Sequence, residues 1–404
     1  MDNETSKVKK SSKRLLLVPA LLLSMALAYT VSAFFGTLLV DIAASFKVSI
    51  GTASQLGLIS SVVGLVMGFI MFALTIKFKH KSLFLSGIAI FGVGTLGFSI
   101  AQNFATVLLA QFVIGVGAAT IGIMTYTLIG DLLPLEKRGW TIGLAVAAMG
   151  AAYIIVAPLS GFISSVAGWR AVLLCVIFPF SIACFALGLL GIPSKHPQLQ
   201  SESISLYSRA FKQILLNKSA IACVIATALF TCVSVVPVYA VSFYRVVFAV
   251  SPLIGGVFAS VAAVGAIFGG IGGGRLINRC GRKPLTVAGA LVSGTAAILF
   301  TYMPNMLLSV AFWAISAATA AITCSALFSL VLEQVPSFKG SMMAINSTFQ
   351  NTGSILGLII GGLVLNLYHN NFLLLMTIFG TLGVASAPII FLLAKDPCKT
   401  GSTR

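Results

Sequence analysis

The chain has 404 residues, 58% of them hydrophobic and only 8% charged, with a formal net charge of +17. A soluble domain carries roughly 25% charged residues, so this composition excludes a water-facing globular fold. The positive charge does not point to nucleic acid, because the cations lie between apolar runs rather than on one basic domain.

Uncharged runs of about 20 residues recur along the chain, each long enough to cross a hydrocarbon core of roughly 30 Å. They are continuous rather than alternating, which disfavours a β-barrel. The predicted fold class is an all-α polytopic membrane protein with twelve transmembrane helices. A cytoplasmic tail is expected at 1–14, with Lys7, Lys9, Lys10, Lys13 and Arg14. The first six spans are predicted at 15–40, 51–76, 83–101, 105–130, 140–165 and 171–192, forming an N-terminal bundle over 15–192. A polar linker follows at 193–218, and its 206–216 part reads equally as a short interfacial helix or a tether. The other six spans are predicted at 219–243, 253–274, 285–303, 306–332, 341–366 and 371–394, a C-terminal bundle over 219–394, with a tail at 395–404. Val31-Ser32-Ala33 after a basic start has the look of a signal-peptide cleavage site. The apolar run continues to Val40, however, and outlasts the roughly 7–15 apolar residues of a signal peptide.

Only Lys47, Arg170 and Arg245 of the 25 Lys and Arg residues fall on one side of these spans. The others share a side with both termini. Short loops rich in Lys and Arg stay cytoplasmic, so both termini are expected inside a plasma membrane. The cysteines, such as Cys175, Cys184, Cys223, Cys232 and Cys324, form no CxxC pair and read as small apolar packing residues. The three histidines lie in different loops, so no metal cluster is expected. With no P-loop, HExxH or Ser–His–Asp set visible, neither an enzyme nor a cofactor is expected.

The chain repeats at an offset of 202 residues. Phe46, Val48 and Ser49 fall on Phe248, Val250 and Ser251, and Gly68 on Gly270. Lys81 falls on Lys283, Gly87 on Gly289 and Asn103 on Asn305, while Asp131 and Pro134 fall on Glu333 and Pro336. Six spans return the chain to its starting side, so the halves are predicted to be a parallel repeat. That arrangement suits alternating access to a solute held near the membrane midplane.

The loop "GRLINRCGRK" resembles the motif G-x-x-x-D-[RK]-x-G-[RK]-[RK] of the major facilitator superfamily. Gly274, Arg279, Gly281, Arg282 and Lys283 are in register, and Asn278 takes the Asp position. The matching first-half loop, "ALTIKFKHKS", lacks both the Asp and the Gly. "QFVIGVGAA" keeps Gly115 and Gly117 of a span-four segment, with Gln111 in place of Arg. "GAAYIIVAPLSG" is similar to the span-five segment of efflux members and keeps Gly150, Pro158 and Gly161. "GWR" at 168–170 and the acid-x6-Arg spacing of Asp131 and Arg138 agree. "VDIAASFKVSIGTASQL" resembles the drug:proton antiporter branch, particularly its sugar and arabinose-efflux-like members. The resemblance covers nearly the whole chain. It implies two six-helix bundles, a small organic solute (drug, sugar or metabolite) as partner, efflux as direction and protons as a candidate co-substrate. A monomer in the lipid bilayer is expected, with no nucleic-acid partner. An uptake carrier, a uniporter and a non-transporting receptor or assembly protein are the alternatives.

Glycine lets membrane helices approach closely, and Pro158 permits a bend. Arg279, Arg282 and Lys283 with Glu333, and Asp131 with Arg138 and the Lys77–Lys81 loop, are expected as a charge latch. Exposed pairs alone are worth only ~0–1 kcal/mol. Only Asp41, Asp131 and Glu333, all near span ends, remain once five of the eight acidic residues are placed in tails and loops. Gln111 cannot titrate, so proton coupling rests on one of those three or is absent. The chamber is therefore expected to be lined by neutral groups: Tyr29, Gln55, Gln111, Tyr126, Tyr153, Tyr239, Trp313, Asn346 and Gln350. Each of these also fits a helix-bridging hydrogen bond.

Overall fold

The computed structural model describes residues 2–133, 135–193, 213–214, 216–335 and 339–396. Among them, twelve helices are long and apolar enough to cross a membrane, and each falls on a predicted span. Spans 1 to 6 are Leu16–Ser45, Ile50–Met71, His80–Ile100, Phe104–Leu132, Ala147–Ala167 and Trp169–Gly191. Spans 7 to 12 are Lys218–Val247, Pro252–Ile277, Arg282–Tyr302, Met306–Leu332, Ile345–Leu367 and Phe372–Leu393. The helix holding span 1 begins at Asp2 and passes through Val31–Ala33 unbroken. The segment expected as a tail is helical from Asp2, and the membrane-spanning stretch begins at Leu16. Most of the 193–218 linker lies outside the described residues.

Three spans are interrupted. Span 2 opens with a short turn, Ile50–Ala53, whose Thr52 N–H donates to the Ser49 hydroxyl at 2.9 Å, and resumes at Gln55. Span 6 widens into a π-turn at Leu173–Ile177, just before Pro179. Span 7 breaks at Val235, between Lys218–Ser234 and Val236–Val247. Pro237 follows the break by two residues, and proline removes a backbone donor from the helical ladder.

The chain forms two compact units: Met1–Val48, Ile59–Leu199 and Ser251–Val257 make the first; Ser49–Leu58, Gln200–Val250 and Phe258–Arg404 make the second. In the first unit Trp169 packs edge-on to Phe98 at 5.8 Å, and its indole N–H donates to Ser45 Oγ at 2.8 Å. Arg170 lies 4.3 Å over the Trp169 ring and donates to the Ala101 carbonyl at 3.0 Å. The predicted "GWR" turn is thus a buried anchor with a cation–π lid. In the second unit Tyr244, Phe243, Phe300 and Trp313 form one aromatic core, with ring centroids 5.2–6.4 Å apart.

The 202-residue repeat is present in backbone conformation. Lys47 and Ala249, which differ by 202, both have positive φ, at 54° and 52°. Gly168 and Asn370, again 202 apart, have φ of 80° and 62°. Asn103 and Asn305 both cap a helix, each side chain accepting from a backbone N–H at 2.9 Å. Helices His80–Ile100 and Arg282–Tyr302 match end for end. One position departs: Gly281 has φ 83°, which glycine tolerates without steric cost, whereas its counterpart Lys79 has φ −61°. The first-half loop lacks the motif glycine because its backbone does not take the conformation that requires one.

Small residues set helix spacing inside each unit. A Cβ on Gly117 would lie 2.5 Å from the Phe91 backbone nitrogen, so spans 3 and 4 touch backbone to backbone. A Cβ on Gly115 would meet Val63 at 3.3 Å. Gly87 faces Thr120, and Gly289, at the repeated position, faces Thr323.

Candidate functional site

The second unit contains a cavity of about 240 Å³. Span 7 contributes Val233, Ser234, Val236 and Pro237 from both sides of its break, and span 8 contributes Ala266. Span 10 supplies Trp313, Ser316, Ala317, Ala320, Ala321 and Cys324. Residues three, four and seven apart share one face of a helix, so span 10 presents a single stripe of small residues below Trp313. The tryptophan is fixed by stacking on Phe300 at 6.4 Å and by Tyr244 at 5.8 Å. Among the described lining residues no charge is present. The polar residues of the wall are Ser234, Ser316, Cys324 and Trp313, and the Ser316 hydroxyl donates to the Ser293 carbonyl at 3.0 Å. Such a wall takes an apolar ring or chain and orients it with few hydrogen bonds.

The first unit gathers three tyrosines. Tyr29 of span 1 lies near Tyr126 of span 4 and Tyr153 of span 5, and the Tyr153 and Ser32 hydroxyls are hydrogen-bonded. Tyr126 is 38% exposed, while Tyr29 and Tyr153 are half-buried. Three phenols supply flat apolar faces and rotatable donor–acceptor groups.

Gln111, Tyr239 and Asn346 are buried in helix packing, which favours the bridging role over the lining role. The Gln111 amide donates to Ser60 Oγ. Tyr239 donates to the Leu358 carbonyl at 3.3 Å. Thr227 donates to Asn346 Oδ1 at 2.8 Å. Gln55 is exposed at the start of its helix, and Gln350 is half-buried on span 11. Interhelical hydrogen bonds in membranes average about 0.6 kcal/mol. Asn346→Leu with Thr227→Val is therefore expected to cost less than about 1 kcal/mol of stability and to leave solute affinity unchanged. Titration calorimetry showing a large affinity loss would return Asn346 to the site.

Of the charged candidates, Asp41 is half-buried near the end of span 1, with the Ser45 hydroxyl on its backbone carbonyl at 2.8 Å. The side chain of Arg138 lies outside the described residues. Asp131 meets His80, within the predicted 77–81 loop, with His80 Nδ1 2.6 Å from Asp131 Oδ2. Arg279 lies exposed in the last turn of the span-8 helix. Lys283 lies 5.7 Å over the Phe391 ring, and Glu333 caps the C-terminus of span 10. Gly161 of span 5 and Gly256 of span 8 mark a close crossing: a Cβ on Gly256 would lie 2.5 Å from the Ala157 carbonyl oxygen and 2.7 Å from Pro158 Cα. Pro158 lies inside an unbroken helix, Leu135–Ala167, which also contains Gly150.

Twelve apolar helices written as two repeats of six, with uncharged polar and aromatic clusters inside each unit, define a polytopic membrane protein of the transporter type. The model of the Major Facilitator Superfamily matches residues 21–273 and 247–403, and the chain belongs to that family. It is 32% identical over 173 residues to the uncharacterized MFS-type transporter YwfA of Bacillus subtilis (strain 168), covering 42% of this chain but only 41% of that relative. It is 25% identical over 370 residues to a probable sugar efflux transporter of Pasteurella multocida (strain Pm70), covering 89% and 87% of the two chains. Its fold is similar to a crystal structure of a D-xylose–proton symporter, with TM-score 0.78, 16% identity and coverage of 95% and 98%.

Proposed function

We propose that the chain is a secondary transporter that exports a small, uncharged organic solute across the plasma membrane by alternating access, with both termini in the cytoplasm. The uncharged cavity below Trp313 is the observation that carries this reading. The tyrosine cluster of the first unit supports it, because phenols suit a neutral ring-bearing solute. The likeness to a probable sugar efflux transporter over most of both chains favours efflux and a sugar-like or amphipathic solute. Trp313 and Gln350 are the assigned contacts in the second unit, and Tyr29, Tyr126 and Tyr153 form a separate candidate cluster in the first. Arg279, Arg282, Lys283 and Glu333 are assigned to a cytoplasmic latch on the second half.

A thermal-shift screen of the purified chain against sugars, drugs and metabolites identifies the solute. Flux into and out of liposomes, with and without a pH gradient, then tests transport and its direction. A chain that binds a solute but never moves it would overturn the transporter reading. Asp41, Asp131 and Glu333 are the candidate proton carriers. Asp41→Asn is expected to abolish gradient-driven uphill transport while sparing solute exchange. Unaltered uphill transport in that variant shifts the assignment to Asp131 or Glu333.

A further inference from the structure

We infer that His80 and Asp131 form a proton-binding switch at the loop-rich, basic end of the first unit, closed when the imidazole is doubly protonated. Nδ1 of His80 is 2.6 Å from Asp131 Oδ2, and Nε2 is 3.2 Å from the Thr75 backbone carbonyl oxygen. Both partners accept. A neutral imidazole has one N–H and one bare nitrogen, so it satisfies only one of them. The geometry is that of the imidazolium, which donates at both ends and ties three elements together: the end of span 2, the start of span 3 and the end of span 4.

Three helix ends meet at His80. Thr75 lies in the last turn of the span-2 helix, which ends at Lys77, and Asp131 in the last turn of the span-4 helix, which ends at Leu132. Helix C-termini attract cations, and a carboxylate placed there needs one nearby. His80 is itself the first residue of the span-3 helix, whose N-terminus opposes a cation. Among the described side chains, the other charged groups at this end are Lys79, which is exposed, and Lys81, which donates to the Leu189 carbonyl of span 6 at 2.6 Å, while those of Lys7, Lys9, Lys10, Lys13 and Arg14 lie outside the described residues. The side chains of Lys77, Glu136, Lys137 and Arg138, on the flanking helices, lie outside the described residues. The pair is open to solvent, with side-chain exposures of 15% for His80 and 45% for Asp131.

The repeat isolates what is particular here. His80 and Arg282 differ by 202 residues and open equivalent helices, His80–Ile100 and Arg282–Tyr302. Asp131 corresponds to Glu333 in the same way. The second half carries a permanent cation at this position, whereas the first half carries a histidine, the residue type whose ordinary charge change falls between about pH 5 and 8. The switch is therefore closed in acid and opens as pH rises. On the reading that this end faces the cytoplasm, it senses cytoplasmic pH.

The test uses the full chain in nanodiscs with 15N-labelled histidine. Only three histidines are present, so loss of a signal in His80→Gln assigns it. At about pH 6 the His80 ring is expected to carry protons on both nitrogens. After correction for intrinsic chemistry, amide exchange over residues 76–83 should speed by about tenfold between about pH 6 and about pH 8.5, as a charged hydrogen bond is lost. In His80→Arg the same change should stay under about twofold. In Asp131→Asn the segment should exchange fast at both values. A singly protonated ring at the lower pH, or wild-type pH dependence surviving in either variant, overturns the switch. None of these readouts needs a solute, so their failure leaves the transport reading standing, and failure of transport leaves the switch standing.

Discussion

Gly161→Leu is expected to separate spans 5 and 8 and to lower stability by about 1–3 kcal/mol, the usual cost of overpacking. An added Cβ would meet the Pro252 carbonyl oxygen, the Pro252 carbonyl carbon at 2.6 Å and Leu253 Cα at 2.7 Å. All three are backbone atoms of a helix start and cannot rotate aside as a side-chain tip would. The contact is reciprocal, since Gly256 faces Ala157 and Pro158 just as closely. Two helices thus meet through small residues spaced four apart, a pattern that membrane helices use to bring backbones together. Gly122 and Gly130 are the internal controls. Nothing lies within 4 Å of a Cβ at either, and alanine there should be neutral or gain about 0.5–1 kcal/mol from helix propensity. Denaturant titration in detergent micelles, with amide exchange read over 252–257, separates the cases. Equal stability for Gly161→Leu and Gly122→Ala would mean that the crossing does not matter.

Hydropathy locates the part of a helix that sits in lipid, and this explains both what the sequence revealed and what it hid. All twelve spans were readable because each apolar run fills the membrane. The helices themselves reach further: span 1 runs past Asp41 to Ser45, and the span-5 and span-11 helices start at Leu135 and Lys339, in polar sequence. Helix propensity does not require apolar residues outside the bilayer. Which way each polar side chain faces was not readable. A helix that is apolar all round carries no amphipathic signal, so Gln111, Tyr239 and Asn346, bridging residues, looked no different from Tyr126, an exposed one. The broken seventh span had a visible signal in Pro237. His80 also had one: counted alone it is a stray loop histidine, but the repeat puts it opposite Arg282, just as it puts Asp131 opposite Glu333. The missing loop glycine needed the backbone, because only φ at Lys79 shows that no glycine is required there.

Filling the cavity of the second unit should remove solute binding without unfolding the chain, and Ala317→Phe is the sharpest way to do it. Ala317 follows Trp313 by four residues, so a phenyl ring there projects from the same face of span 10 into the space of about 240 Å³. The lining is largely alanine and valine, and the cavity exists because these side chains stop short. A ring placed in empty volume gains dispersion contacts and need not force apart close-packed neighbours, so stability should change by less than about 1.5 kcal/mol. The solute loses that same volume. Its affinity, measured by thermal shift with whichever compound the screen identifies, should fall at least tenfold, about 1.4 kcal/mol. Trp313→Ala makes the opposite change and should fail differently. It deletes a ring that is 2% exposed and stacked in the aromatic core, at a cost of about 3–5 kcal/mol, so it should destabilise the protein with or without solute. If Ala317→Phe binds as tightly as the unsubstituted chain, the solute does not use this cavity. Ala317→Leu, with a smaller side chain, gives the same answer should the phenyl ring prove too large to fold.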